Sequence, residues 1–183
     1  NSLYKLHQTM ELKSMTFKRA VLAIIILMAA FSRLLPHPPN FTPIMAMGLL
    51  GGVYFKNRQL AVIVPLLAML VSDIVLGFHG TLIWVYSSIV IISLCASMLK
   101  PKMLHLGGAS LAGSMFFFIV TNFGVWMTSA FYPKTMTGLA SCYAAGIPFL
   151  QNAVVGDLMY VGALFGAFEL AKRSFPQLSI DAI

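Results

Sequence analysis

Six apolar runs follow one another along this chain, at 17–35, 43–56, 60–78, 81–99, 105–128 and 149–171, and few charges interrupt them. A bilayer core takes about 20 apolar residues per helix, somewhat fewer where flanking residues reach the interface. In hydrocarbon the backbone N–H and C=O groups must be bonded within the protein, so these runs predict helices. A transmembrane barrel would instead alternate in strands of about ten residues, and no such alternation is present. The second run is short and holds Gly48, Gly51 and Gly52, which predicts a helix that is tilted, broken or tightly packed. Composition agrees, with 59% hydrophobic and 9% charged residues and a mean hydropathy of +0.88. A soluble domain carries about a quarter charged residues. The expected fold is an all-α integral membrane protein, a compact six-transmembrane-helix bundle.

The expected organisation is an N-terminal tail or expression remnant at 1–14, a single membrane domain at 15–176 and a C-terminal tail at 177–183. The first 14 residues are polar and read as irregular. The run Ala20–Ala30 behind Lys18 and Arg19 also has the grammar of a signal peptide, and is read here as the first span. Of the 12 Lys and Arg residues, ten fall on one side if the spans alternate: Lys5, Lys13, Lys18, Arg19, Lys56, Arg58, Lys100, Lys102, Lys172 and Arg173. Only Arg33 and Lys134 fall on the other. The positive-inside rule then sets both termini in the cytoplasm, and the expected location is a bacterial inner membrane, crossed several times.

The opposite face carries the loop Pro36–Pro43, a short connection at 77–80 and a long connection at 129–148. Three prolines in four residues stiffen the first loop, since each fixes φ and removes a donor. It reads either as a stiff flap over an outward cavity or as a plain tight connection.

Ionisable groups at membrane depth are rare and expensive, so each is a candidate site. Asp73 lies near the outer end of the third span and Asp157 about two turns into the sixth, with Arg33 within reach of one of them. They form either a packing ion pair or part of a ligand pocket. Glu169 is placed to pair with Lys172 or Arg173 near the inner end. Asn122, Trp126, Tyr132, Tyr143 and Asn152 gather around the outer half of the fifth and sixth spans. Aromatic residues are expected at any membrane interface, but a buried amide needs partners, which a polar ligand would supply.

Two cysteines are too few for a disulfide framework, and no C-x-x-C or His/Cys cluster suggests zinc. Cys142 falls in the long outer connection, where a thiol would meet both ligand and oxidant. Cys95 falls about 20 Å below the outer end of the fourth span at 1.5 Å per residue. A single buried cysteine is most often a small apolar side chain. Rows of small residues at four-residue spacing, such as Gly108/Ala112 and Gly162/Gly166, allow close helix approach. No P-loop, G-x-S-x-G or H-E-x-x-H motif is present. The dispersed basic charge excludes a nucleic-acid footprint.

The strings RLLPHPPNFTPI (Arg33–Ile44), VSDIVLGFH (Val71–His79), TNFGVW (Thr121–Trp126) and GDLMY (Gly156–Tyr160) resemble a bacterial family similar to the substrate-binding S-components of energy-coupling factor (ECF) vitamin transporters. The resemblance runs from about Arg33 to Pro176. It implies a vitamin-binding membrane transporter that captures its ligand at the outer side and topples to release it inside. It also implies pocket roles for Asn40, Phe41, His79, Tyr86, Asn122, Trp126, Tyr143 and Asn152, with Asp73 and Asp157 added from their depth. S-components that share an ECF module often carry an A-x-x-x-A pattern on helix one. Ala20, Ala23, Ala29 and Ala30 never fall at that spacing, which favours a solitary type. Among solitary types the chain is similar to the BtuM cobalamin family. That likeness implies no intrinsic cofactor, cobalamin as bound substrate, a cysteine on its cobalt, and thiol-dependent removal of cyanide. Cys95 is the preferred thiol and Cys142 the alternative, since a walled-in thiol meets only what its cavity admits.

Overall fold

The computed structural model describes residues 2–55 and 57–179. It is all-helical, with six α-helices and no strand among the described residues. These are α1 (Ser2–Ser32), α2 (Ile44–Tyr54), α3 (Arg58–Leu76), α4 (Leu82–Ala96), α5 (Met103–Thr128) and α6 (Met136–Ser174), followed by a short 3-10 turn at Pro176–Ser179. Four segments are long and apolar enough to cross a membrane: Gln8–Ser32, Arg58–Leu76, Leu104–Thr128 and Met136–Ser174. The helices Ile44–Tyr54 and Leu82–Ala96 are equally apolar but shorter.

The short helix α2 is the hub, packing on α1, α3, α4, α5 and α6. Nine of its eleven residues are buried, from Ile44 to Gly52. Its glycines make this possible. A Cβ on Gly52 would fall 2.4 Å from the Ser93 carbonyl oxygen, and one on Gly51 would fall 2.9 Å from that of Ala61. The bare α2 backbone therefore lies directly against α3 and α4. Of the three forms expected for the second run, the structure takes the tightly packed one. At about 16 Å, α2 is too short to span alone, and the non-helical stretch Pro36–Pro43 leads into it.

Local chemistry fixes the helix ends. Asn57 caps α3 by accepting from the backbone N–H groups of Gln59 and Leu60 at 2.8 and 3.3 Å. Gly77, at φ +91°, ends that helix, in a region that an L side chain rarely adopts. Thr135 caps α6 through the N–H of Gly138.

Two expectations are corrected. The stretch from Ser2 to Ser14, expected to be irregular, is the opening of α1. Ser14 donates to the Gln177 carbonyl at 2.7 Å, and Phe17 meets Phe175 edge-on, so the 3-10 turn is tied to α1. Residues 180–183 of the expected C-terminal tail lie outside the described residues. The long connection expected at 129–148 shrinks to 129–135, because α6 begins at Met136 and carries Pro148 within it.

The outer surface is apolar. Ile24, Leu27, Met28 and Phe31 of α1, and Ile63, Leu67 and Ile74 of α3, are exposed. Water would penalise such a surface and hydrocarbon does not, consistent with a membrane protein. One end of the bundle gathers Arg58, Lys100, Lys102, Lys172 and Arg173, and the other holds Arg33 and Lys134. Lys56, counted with the basic end, lies outside the described residues.

Candidate functional site

At the end opposite the basic cluster the helices part around a cavity of about 370 Å³. Its walls come from α4, α5 and α6, and its lower side from the loop that follows α1 and the first residues of α2. That loop is clamped rather than free. Asn152 on α6 donates to the Pro39 carbonyl at 3.1 Å. The Phe41 ring lies 5.9 Å from that of Tyr160, and both the ring and the backbone of Phe41 lie against Gly156, where a Cβ would come within 3.2 Å. Asn40 takes φ +62°, a left-handed conformation that asparagine tolerates better than most residues. The stiff segment, read from the sequence either as a flap or as a plain tight connection, is docked against α6 and contributes Asn40 and Thr42 to the cavity lining.

Asp157 lies in the lining and is 3% exposed. Its Oδ2 accepts from Ser114 on α5 at 2.6 Å. Ser114 Oγ also lies 2.9 Å from the Ser110 carbonyl, and its single proton serves one acceptor at a time. No ion pair to Asp157 forms among the described residues. Asn122 lines the wall, donating to the Phe118 carbonyl at 2.9 Å, and Cys142 donates to the Asn122 carbonyl at 3.4 Å. Gly146 sits opposite, where a Cβ would lie 2.6 Å from Asn122 Oδ1. His79 reaches the rim, its Nδ1 2.9 Å from Thr81 Oγ1.

Asp73 occupies a separate setting. It is fully buried, and its Oδ1 accepts from Arg33 Nη1 at 2.7 Å while its Oδ2 accepts from Tyr86 at 2.9 Å. The same Arg33 nitrogen reaches the Ser72 hydroxyl and, at 3.3 Å, the Met69 sulfur. These residues fasten α1, α3 and α4 together. Arg33 also borders the cavity, whereas Asp73 and Tyr86 do not.

Of the candidates read from the sequence, Arg33, Asn40, His79, Asn122, Tyr132, Cys142 and Asp157 share the cavity lining. The others are placed elsewhere. Phe41 and Asn152 hold the loop, Asp73 and Tyr86 form the buried clasp, and Tyr143 donates to the Ile119 carbonyl at 2.8 Å between α6 and α5. Trp126 donates to the Pro133 carbonyl at 2.9 Å in the α5–α6 turn, where Lys134 bonds the carbonyls of Trp126 and Ser129. The two thiols exchange the settings expected of them. Cys142 is buried on α6 in the cavity wall, and Cys95 is exposed one residue before α4 ends at the far side of the bundle. Cys95 is therefore not walled in and takes no part in this cavity. Sequence reading passed over Thr42, Met45, Phe117, Thr121 and Phe149, all in the lining. Thr121 begins the string TNFGVW and carries a signal there; the apolar ones carry none.

The arrangement is that of an all-helical bundle with an apolar exterior and a cavity of mixed polar and apolar lining at one end. Residues 13–178 match the model of a family of unknown function, DUF6580, and the chain belongs to that family. No curated protein and no solved structure matches the chain.

Proposed function

We propose that this protein is a membrane transport protein of the S-component kind, with six membrane-crossing helices, which captures a vitamin-sized solute from outside a bacterial inner membrane. The observation that carries this reading is the cavity of about 370 Å³ with Asp157, Asn122 and Asn40 in its lining. That volume lies at the lower end of small-molecule sites, about 300–1,000 Å³. The basic residues set the opposite end in the cytoplasm, so the cavity faces outward. Helix α2, buried among the other five, and α4, packed on α2, α3 and α5, complete the six crossings. Without the A-x-x-x-A spacing on α1, capture requires no shared ECF module.

Cobalamin is the second reading, favoured by the position of the Cys142 thiol in the cavity wall. Soft thiolate is a suitable ligand for a transition-metal ion. A corrinoid is several times larger than the cavity, so its ring would lie across the mouth with one face toward Cys142. Cys95, exposed at the other end, has no role in this version.

The test is binding to the full chain in lipid nanodiscs, by thermal shift and equilibrium dialysis, against thiamine, riboflavin, pantothenate, biotin and cyanocobalamin. Saturable binding of one of them, weakened by Asn122→Ala, is the expected result. No saturable binding to any of them would remove the capture reading. A corrin spectrum that shifts on binding, and does not shift in Cys142→Ser, would promote cobalamin over the smaller solutes.

A further inference from the structure

Each charge around the cavity can be matched to a partner except one. Arg33 is balanced by Asp73 at 2.7 Å. Asp157 has Ser114 on one oxygen, and no cation among the described residues pairs with it. Asp157 lines the cavity, and among the described residues no donor bonds its Oδ1. His79 and Cys142 are the other titratable side chains in the lining, apart from Tyr132. Tyr86, across α4, is engaged by Asp73.

An uncompensated carboxylate at membrane depth is costly, and such residues characteristically mark substrate or ion sites. The lining that Asp157 shares includes Phe117, Tyr132 and Phe149. Aromatic faces attract organic cations through the ring quadrupole, more strongly where water is displaced. Asn40 and Asn122 add side-chain carbonyl oxygens able to accept from an N–H donor.

We propose that the solute captured in this cavity is a small organic cation, an amine or quaternary ammonium compound, whose positive nitrogen sits against Asp157. This deepens the capture reading above and rests on it. The entering cation supplies the counter-charge that the protein withholds, and the aromatic walls cover its apolar part. A neutral molecule of the same shape fills the space but leaves the carboxylate unmatched.

The test uses the full chain in nanodiscs with two matched probes, choline and its uncharged isostere 3,3-dimethylbutan-1-ol, alongside thiamine as a larger cation and riboflavin and pantothenate as neutral and anionic solutes. Choline or thiamine is expected to bind saturably, with choline at least tenfold tighter than the isostere. Asp157→Asn is expected to weaken cation binding tenfold or more while keeping the gel-filtration profile of the unaltered chain. Should that variant fail to fold, the choline and isostere pair on the unaltered chain decides the matter. Equal binding of that pair, or binding of riboflavin or pantothenate alone, would overturn the cation assignment and leave capture standing. No binding by any of these probes would overturn the cation assignment, and if biotin and cyanocobalamin also failed to bind, the capture reading would fall with it.

Discussion

Asp73 and Asp157 are both buried acids in apolar helices, and in sequence they look alike. Their surroundings differ in every respect that decides a carboxylate's role. Asp73 has a guanidinium at 2.7 Å and a phenol at 2.9 Å, one on each oxygen, and no opening to the cavity. Asp157 has a single hydroxyl at 2.6 Å and a cavity in front of it. A buried ion with full partners fixes neighbouring elements, whereas one left half-partnered is held ready for something that is not part of the chain. Depth alone identifies neither role; the count of partners does.

The contrast breaks first on the clasp. Asp73→Ala leaves the Arg33 guanidinium buried without its counter-ion, and removing one partner of such a pair costs about 3–5 kcal/mol. Unfolding in mixed detergent micelles, followed by helical circular dichroism, should show that loss. Replacing both partners, as Arg33→Met with Asp73→Leu, should restore most of it, because apolar side chains of similar volume replace a buried pair at little net cost. A small effect of Asp73→Ala alone would mean that the pair does not fasten α1 to α3, and the distinction drawn from Asp157 would collapse.

A milder cut is Tyr86→Phe, which removes only the phenol that donates to Asp73 Oδ2. A hydrogen bond to a charged group is worth about 1.5–3 kcal/mol in water-soluble proteins, but side-chain bonds in membrane bundles fall lower, with the largest near 1.7 kcal/mol. We expect a loss of about 1.5 kcal/mol in the same assay and no change in solute affinity. A loss of affinity in Tyr86→Phe would place the clasp inside the site and blur the two regions.

Much of this architecture is legible from the chain itself. The apolar runs locate six helices, and the unequal division of Lys and Arg between the bundle ends follows from their alternation. What the sequence withholds is which side of each helix turns inward. Along α4 nearly every residue from Leu82 to Ala96 is apolar or small, so no stripe shows that Cys95 points out while Ile92 and Ser93 point in. The start of α6 is hidden for a different reason. Gly138, Gly146 and Pro148 carry the composition of a loop, yet Gly138 lies against the Pro133 carbonyl and Gly146 against Asn122. Their small size serves helix packing, and a helix in such a setting tolerates an internal proline when its neighbours satisfy the freed backbone groups. The placement of Cys142 was lost with that boundary. Asp157 and Asn122 were visible because polar groups in apolar runs stand out whatever the packing, whereas Asn40, in the loop before the second run, was named only through the family resemblance.

The smallest expected stability effect is also the sharpest test of the comparison. Asp157→Asn keeps the size of the side chain and an oxygen to accept from Ser114, so the folded bundle loses no packing and need lose no hydrogen bond. It also removes a charge for which the described protein provides no cation. Stability should therefore not fall, because relief of an uncompensated buried charge offsets the amide hydrogens that the new side chain must satisfy. The same micelle unfolding assay, run beside Asp73→Ala, reads both numbers on one scale. If Asp157→Asn proved as damaging as Asp73→Ala, Asp157 would be a second clasp, and the cavity would lose the residue that gives it a ligand chemistry.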